Sequence, residues 1–276
     1  QACRQIKLFT GRDGPADLAQ ADAYLAGPIA HAGHTIAWAG TGDVDRARAA
    51  LLDIDESHTG DLRLDGFIGR AQAAVLALDG RYDEAAEFTA AAGVDCIAGT
   101  YVSFGAYSLH DAVRYGRGDL VADELVRLGG TAEAPLIDAM AAHAVAQRDG
   151  DAAALVGVAE VFASFGARTL VAEALDDAAR ADGDETVSGR AAAAAALWRR
   201  ATPASNALAR PVAASLTDRE LDVVERALGG QRSKAIGEEL FVSARTVDNH
   251  LAQVYRKLAV GGREELAAAL APSVPT

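Results

Sequence analysis

The sequence predicts an all-α fold, and composition and periodicity are the two observations behind that prediction. Alanine dominates the apolar residues, while aromatic residues make up only 5% of the 276 residues. Small aliphatic side chains allow helices to pack closely on one another, and the apolar positions recur at helical spacing. We therefore expect a helical-repeat region over residues 1–201, a linker over 202–215 and a four-helix domain over 216–276.

A glycine-centred turn recurs in the predicted repeat region at intervals of 32 to 38 residues. Gly can end a helix in the left-handed conformation, and an Asp that follows it can cap the next helix. Because the period is close to the 34 residues of tetratricopeptide units, we expect tetratricopeptide-like helical hairpins. Such a solenoid can present a binding face to a partner, or serve only as a spacer or oligomerisation element. The five turns are Gly42-Asp43, Gly80-Arg81, Gly118-Asp119, Gly150-Asp151 and Gly183-Asp184.

The composition excludes several classes of protein. Half of the residues are hydrophobic and 24% are charged, which is typical of a globular chain. No apolar run approaches the roughly 20 residues of a membrane span, and the charged N-terminal residues lack the apolar stretch of a signal peptide. Two cysteines, Cys3 and Cys96, cannot form a disulfide framework, so we expect a cytoplasmic protein. Gln1 is not an initiator methionine, which is compatible with a piece of a longer protein.

No catalytic, metal-binding or cofactor-binding pattern is present in the sequence. The phosphate-binding loop motif is missing, and His31 and His34, although three residues apart, have no Cys or carboxylate in a zinc pattern beside them. His58, His110 and His143 are isolated, and no arrangement with Ser or Cys suggests a nucleophile. We therefore expect a protein that is not an enzyme and that needs no metal or cofactor.

Charge divides the chain into two parts. The net charge is −13, but residues 1–185 have a balance of −16 and residues 186–276 a balance of +3. An acidic surface repels nucleic acid, whereas the C-terminal part does not. In the segment between the two predicted domains, Pro203 and Pro211 each remove a backbone donor and disfavour helix in the residue before them.

The C-terminal domain begins with strong helix signals. Thr217 and Glu220 have capping-box spacing, Leu216 and Leu221 stand at the positions of a hydrophobic staple, and a helix is predicted to begin near Asp218. The sequence Gly-Gly at 229–230 is expected to end it. A short second helix follows, SKAIGEEL, with its first serine as the expected cap. Its glycine costs about 1 kcal/mol relative to Ala, which a close helix crossing would explain.

A third helix, SARTVDNHLAQVYRKL, is predicted with Ser243 as its cap, and a fourth, REELAAALA, follows Gly261-Gly262. One face of the third helix is an apolar stripe at helical spacing, formed by Val247, Leu251, Val254 and Leu258. The opposite face is polar and comprises Arg245, Asp248, Asn249, Ala252, Gln253 and Arg256. Two helices joined by a tight turn, the second polar on its outer face, have the geometry that fits a DNA major groove.

These motifs together resemble the LuxR-type helix-turn-helix domain of bacterial transcription regulators. The likeness runs from Thr-Asp-Arg-Glu at residues 217–220 to Thr-Val-Asp-Asn-His at 246–250 and Lys-Leu at 257–258, and covers about 60 residues. The alanine-rich region before it is similar to the helical repeats of large LuxR-family regulators, which also carry a nucleotide-binding module that would lie outside this chain. The resemblance implies a sequence-specific transcription regulator that binds double-stranded DNA as a homodimer.

The resemblance also implies roles for single residues of the third helix. Asp248, Asn249 and Ala252 are expected to face the bases. Many relatives have Lys or Arg at such positions, so Asp248 is a departure. Its carboxylate could accept from cytosine N4 while Asn249 pairs with adenine. Alternatively, Asp248 stays clear of the DNA and Asn249 or Gln253 does the reading.

Phosphate contacts that position the domain without reading sequence are expected from the side chains of Lys234, Arg245, Thr246, Arg256 and Lys257. For Arg256 and Lys257 the alternative is an ordinary helix end whose cations complement the dipole. On the fourth helix, Leu266 and Leu270 are expected to form the dimer contact, the core, or both.

Two functions remain open from the sequence. In the first, the helical-repeat body senses a protein or small-molecule effector. The dimer then binds DNA and acts on transcription, with RNA polymerase as a possible partner. In the second, the chain is a protein-interaction scaffold whose C-terminal domain no longer binds DNA. The acidic net charge and Asp248 favour the scaffold, while the helix caps and the local positive charge favour the regulator.

Overall fold

The computed structural model describes residues 28–54, 62–132, 134–181, 183–201 and 212–270. Within these ranges the chain is all-helical, with no strand, as predicted. Beyond one 3-10 turn at Gly118–Leu120, the helices are α1 Pro28–Thr41, α2 Val44–Leu52, α3 Leu62–Leu78, α4 Tyr82–Ala98, α5 Val102–Arg114, α6 Ala122–Ala132, α7 Pro135–Asp149, α8 Ala152–Ser164, α9 Arg168–Arg180, α10 Glu185–Ala201, α11 Asp218–Leu228, α12 Ser233–Leu240, α13 Ala244–Lys257 and α14 Arg263–Leu270. None of these helices combines the length and the apolar character that crossing a membrane requires.

The described residues form two compact units. The first contains α1 to α7 and ends at Asp149. The second contains α8 to α10 together with α11 to α14. The three helices that precede the predicted linker therefore group with the C-terminal helices. Of the predicted linker, residues 202–211 lie outside the described residues.

Alanine forms much of the core of the first unit. Helix α1 packs against α2 and α3, and the pairs α3–α4, α4–α5 and α6–α7 pack side by side. The side chains in these contacts are at most 1% exposed at Ala73, Ala74, Ala77, Ala85 and Ala86. Because alanine adds only a methyl group, these helices lie close together, as the composition predicts.

The turns between helices confirm part of the predicted pattern. Gly42, Gly80 and Gly150 have positive φ angles of 79°, 77° and 67°, which L side chains rarely adopt. Three of the predicted caps are present: Asp43 accepts from the backbone N–H of Arg46, Asp151 from that of Ala154, and Asp184 from that of Thr186. Similar turns that the sequence analysis missed occur at Thr100, Gly116 and Gly166.

The prediction of a left-handed turn at Gly118 is wrong. The left-handed residue there is Gly116, with φ 90°, and Gly118 begins the 3-10 turn instead. Gly118 donates its backbone N–H to the side chain of Gln147 over 2.7 Å. A Cβ at this position would lie 2.8 Å from the carbonyl oxygen of Ala144. Glycine is therefore required there by close approach to α7.

A polar cluster lies inside the first unit. Arg70 of α3 donates to Asp111 of α5 over 2.6 Å, and Arg114 donates to the other carboxylate oxygen over 2.9 Å. Beside them, His110 Nε2 and His143 Nδ1 are 3.1 Å apart, and both rings are buried. The sequence analysis treated these two histidines as isolated, because 33 residues separate them along the chain.

Each unit contains one of the two tryptophans of the chain. Trp38 of α1 is half-buried, and the guanidinium of Arg46 lies over its ring, 4.6 Å from the ring centroid. Trp198 of α10 is buried, with 5% of its surface exposed. The two indole rings therefore have different surroundings.

The buried histidine pair predicts a loss of stability at mildly acidic pH. Burial holds the pKa of His110 well below its ordinary 6.5, and the His143 ring and the Arg114 and Arg70 cations lower it further. Below about pH 6.5 the unfolded chain therefore binds a proton that the folded chain does not. As a result, the free energy of unfolding decreases as the pH is lowered below this value. For this one group the fall is at most about 1.4 kcal/mol per pH unit.

Chemical denaturation between pH 8 and pH 5, on the wild type and on His110→Gln, tests this prediction. We expect the difference in unfolding free energy between the two proteins to shrink or change sign toward pH 5. Parallel pH profiles would show that His110 does not carry the effect.

Candidate nucleic-acid interface

The first helix of the C-terminal domain is fixed by the predicted caps. The hydroxyl of Thr217 accepts from the backbone N–H of Glu220, and the Glu220 carboxylate accepts from the backbone N–H of Thr217, so the capping box is present. Leu216 and Leu221, the predicted staple, are both 3% exposed. The helix ends at Gly229, and Gly230 has a φ of 79°.

Glu220 also holds this helix to the end of α13. Its side chain is 3% exposed, and Lys257 donates to its carboxylate over 2.6 Å. Burial by itself raises the pKa of this carboxyl, but hydrogen bonds from Lys257 and Thr217 outweigh burial, so the pKa lies below its ordinary value. Lys257, predicted as a phosphate contact, therefore has a partner inside the domain.

The turn between α12 and α13 requires glycine at position 237. A Cβ there would lie 2.7 Å from the carbonyl oxygen of Val242 and 3.3 Å from the backbone nitrogen of Ala244. The sequence analysis expected a close helix crossing; the close neighbour is instead the backbone of the turn. Phe241 ends α12 in the left-handed conformation, with φ 56°, and is 95% exposed. The predicted cap of α12 is wrong, because Ser233 is its first helical residue and Arg232 precedes it without a side-chain cap.

Helix α13 begins and packs as predicted. The hydroxyl of Ser243 accepts from the backbone N–H of Thr246 over 3.1 Å, which caps the helix. The apolar stripe faces the core, and its members are at most 4% exposed: Val247, Leu251, Val254 and Leu258. Val247 and Leu251 of this stripe form a core cluster with Val223, Ala227 and Ile236 of the two preceding helices.

The opposite side of α13 is the candidate interface, and all four predicted base-reading residues are exposed there: Asp248, Asn249, Ala252 and Gln253. Arg245 and Arg256 are exposed as well and lie on the same side, eleven residues apart. At 1.5 Å per residue their Cα atoms are separated by about 16 Å along the axis. The face therefore has a cation near each end and uncharged polar groups between them, apart from Asp248.

The basic side chains of the domain fall into two groups. In the first group Lys257 pairs with Glu220 and Arg226 with Glu239, while Arg219 and Arg263 donate to the backbone carbonyls of Leu240 and Gln231. Four others are exposed: Arg232, Lys234, Arg245 and Arg256. The sequence analysis missed Arg232, whose position directly before α12 and two residues from Lys234 was the available signal. Thr246, the remaining predicted phosphate contact, is half-buried, and its hydroxyl lies 2.8 Å from that of Ser243.

The two leucines predicted for dimerisation, Leu266 and Leu270 of α14, are fully buried within the unit, at 0% exposed. Helix α14 packs against α10 and α11. Burial accounts for their core role. Their part in a dimer remains a prediction, and the dimer surface would have to come from other residues of this helix while α14 keeps its present packing.

Among the described residues, no three His, Cys, Asp or Glu side chains form a group that could hold a metal ion. His31 and His34 pack ring against ring at 6.2 Å, and His31 lies 4.0 Å from Asp53. His58 lies outside the described residues.

Comparison with known proteins identifies the C-terminal domain. Residues 214–270 match the family model described as bacterial regulatory proteins, luxR family. The spore germination protein GerE of Bacillus subtilis (strain 168) is 42% identical over 50 residues, which are 18% of this chain and 68% of GerE. The chain belongs to the LuxR family of bacterial regulatory proteins. The resemblance of the C-terminal domain to LuxR-type helix-turn-helix domains is thereby confirmed.

A second relative matches this chain over a similar length. The transcriptional regulatory protein LiaR of the same organism is 42% identical over 53 residues, which are 19% of this chain and 25% of LiaR. The chain thus covers a quarter of LiaR, and the likeness is limited to about a fifth of the present chain. No solved structure matches the chain. These matches point to a regulatory protein rather than to an enzyme.

Replacing Gly237 with Ala is expected to destabilise the LuxR-family domain. The methyl group would collide with the backbone oxygen of Val242, and overpacking of this kind costs about 1–3 kcal/mol, partly offset by helix propensity. Gly157, in α8, has open space around its Cα and serves as the control. Thermal denaturation should show a lower midpoint for Gly237→Ala and an equal or higher one for Gly157→Ala; equal shifts would contradict the argument.

Replacing Lys257 with Met is expected to lower stability because it leaves the buried Glu220 carboxylate without its cation. Since the lysine is partly exposed, we expect a loss of about 1–2 kcal/mol near pH 7. The pKa of Glu220 is lowered in the folded state, so the contribution is present above the unfolded value of 4.5 and disappears as pH falls below it. Denaturation of the wild type and of Lys257→Met at pH 7 and at pH 4 measures the loss of stability and its pH dependence. An equal loss at pH 7 and pH 4 would exclude the ion pair as its cause.

Proposed function

We propose that this LuxR-family protein is a sequence-specific DNA-binding transcriptional regulator. The observation that carries the proposal is the exposed face of α13, where Asn249 and Gln253 lie between the cations Arg245 and Arg256. A major groove is about 12 Å wide and is bordered by phosphates on both sides. A helix with polar groups at its centre and arginines about 16 Å apart matches that pattern of charge.

Within this face we assign sequence reading first to Asn249, whose amide can pair with adenine N6 and N7. Gln253 and Ala252 are the neighbouring candidates. Asp248 can accept from cytosine N4, or it stays clear of the bases. A good bidentate contact discriminates against a wrong base by about 1–3 kcal/mol.

Affinity would come chiefly from phosphate neutralisation, which carries no sequence information. Arg232, Lys234, Arg245 and Arg256 are exposed and suited to it, and Thr246 could add a hydroxyl contact. We place Lys257 second, because its ammonium already pairs with Glu220. We further propose binding as a homodimer on paired half-sites, with the helical-repeat body as the sensor of an effector.

The protein-interaction scaffold is the competing function. The net charge of −13 and the carboxylate of Asp248 on the reading face both oppose DNA binding. Against them stands the local distribution of charge, because the four exposed cations lie in the LuxR-family domain itself. Binding to duplex DNA in the presence of random competitor would decide for the regulator, and its absence would decide for the scaffold.

The two kinds of contact can be separated by mutation. A binding site is first selected from a pool of random duplexes with the wild-type chain, and affinity is then measured by fluorescence anisotropy on the selected and on a scrambled duplex at two salt concentrations. We expect Asn249→Ala to lower affinity for the selected duplex by about 5–150-fold, the equivalent of 1–3 kcal/mol, with little change on the scrambled one. Arg256→Ala should weaken both alike and reduce the salt slope by about one.

Arg168→Ala, an exposed change in α9, is the control for the loss of one positive charge. Equal losses on both duplexes for Asn249→Ala and Arg256→Ala would contradict the proposed division between reading and positioning.

A further inference from the structure

Arg190 of α10 binds the end of the candidate DNA-reading helix from outside the family-matched segment. Its Nε donates to the carbonyl oxygen of Leu258 over 2.9 Å, and a terminal nitrogen donates to that of Ala259 over 2.8 Å. Arg190 lies 24 residues before residue 214, where the LuxR-family match begins. The contact spans 68 residues of sequence and lies within one compact unit.

One acceptor, the carbonyl of Leu258, belongs to the end of α13, and the other, that of Ala259, follows directly after it. The last carbonyls of a helix have no intrahelical donor, and the aligned peptide dipoles make that end negative. Leu258 caps α13, and Ala259 directly after it has a left-handed φ of 50°, so both carbonyls lie where the helix stops. A guanidinium offers two N–H groups in a fixed geometry and a positive charge, which suits this position.

Helix α10 makes further contacts with the domain near Arg190 and at its C-terminal end. Ser215 donates its hydroxyl to the carbonyl of Gly189 over 2.7 Å. Arg200 donates to the carboxylates of Asp222 and Asp218, each over 2.8 Å. The N-terminal part of α11 and the C-terminal end of α13 are therefore both held by α10, while the exposed face of α13 remains open.

We propose that Arg190 is a positioning residue for DNA recognition. This inference rests on the proposed function. By closing the last turn of α13 it holds the backbone that carries Arg256, so that this cation meets the phosphates without a cost in ordering. The helical region before the LuxR-family domain then acts on DNA affinity through a single side chain of α10.

The test uses the full chain with Arg190→Met, which keeps an unbranched apolar stem and removes the donors and the positive charge. Arg168→Met is the matched control, because it also removes one positive charge from an exposed position of the same unit. Arg200→Met removes the contact of the C-terminal end of α10 with Asp218 and Asp222 and reports what a loss of docking alone does. Affinity for the selected duplex is measured against salt at a temperature where all variants keep the wild-type circular dichroism spectrum.

For Arg190→Met we expect affinity to fall by about 3–10-fold and the salt slope to fall by about one, as for the loss of one phosphate contact. Arg190→Lys, which keeps the charge and at least one donor, should recover part of both. Arg168→Met should leave both unchanged, and Arg200→Met should leave the slope unchanged. A lower affinity with an unaltered slope, or no change at all, would overturn the positioning role.

Hydrogen exchange of the DNA-free protein supplies a readout that does not depend on binding. With Arg190→Met, amides of residues 254–260 should exchange faster while those of α11 and α12 keep their rates. Faster exchange throughout α11 to α14 would mean general destabilisation and would refute the proposal that Arg190 holds the end of α13. If the wild type binds no duplex, the proposed function fails and the positioning role of Arg190 fails with it. If the wild type binds DNA but Arg190→Met leaves the exchange of residues 254–260 unchanged, only the positioning role is refuted.

Discussion

Close approach of backbone to backbone sets the geometry on which the candidate interface depends. At Gly237 the missing side chain lets the carbonyl of Val242 lie where a Cβ would be 2.7 Å away. The turn therefore folds onto α12, and α13 leaves it in one direction, with its apolar stripe inward and Asn249 outward. The first unit uses the same device at Gly118, where the 3-10 turn lies against the backbone of α7. Alanine allows a similar close approach along whole helices, because a methyl group separates neighbouring backbones only slightly.

Polar contacts then divide the basic side chains between structure and surface. Lys257 neutralises the buried carboxylate of Glu220, and Arg190 caps the end of α13. Side chains with such internal partners add little to the surface potential. The formal charge of the domain therefore does not show which of its cations act at the surface. What remains for solvent is a small set of exposed cations on and beside α12 and α13. This local distribution is how a chain with a net charge of −13 can present a face suited to an anion.

The range of each interaction along the chain explains what the sequence could predict. The caps at Thr217 and Ser243 join residues three apart, and the stripe of α13 follows from one helical period, so both were predictable from local spacing. The meeting of His110 with His143 spans 33 residues, that of Lys257 with Glu220 spans 37, and that of Arg190 with Leu258 spans 68. Such pairs depend on how helices pack, which spacing does not encode. Gly118 was misjudged for a related reason, because a glycine needed for space and one needed for its φ angle look alike in a sequence.

The placement of the two tryptophans gives the protein a natural pair of optical probes. Trp38 beneath Arg46 lies in the first unit, and the buried Trp198 lies on α10 in the second. An indole in an apolar interior emits at shorter wavelength than one in contact with water and a cation, so the emission spectrum is a sum of two distinguishable parts. Removing either ring leaves a single reporter for one unit. The red shift of Trp198 on unfolding would then report the loss of α10, the helix that holds the LuxR-family domain, independently of the first unit.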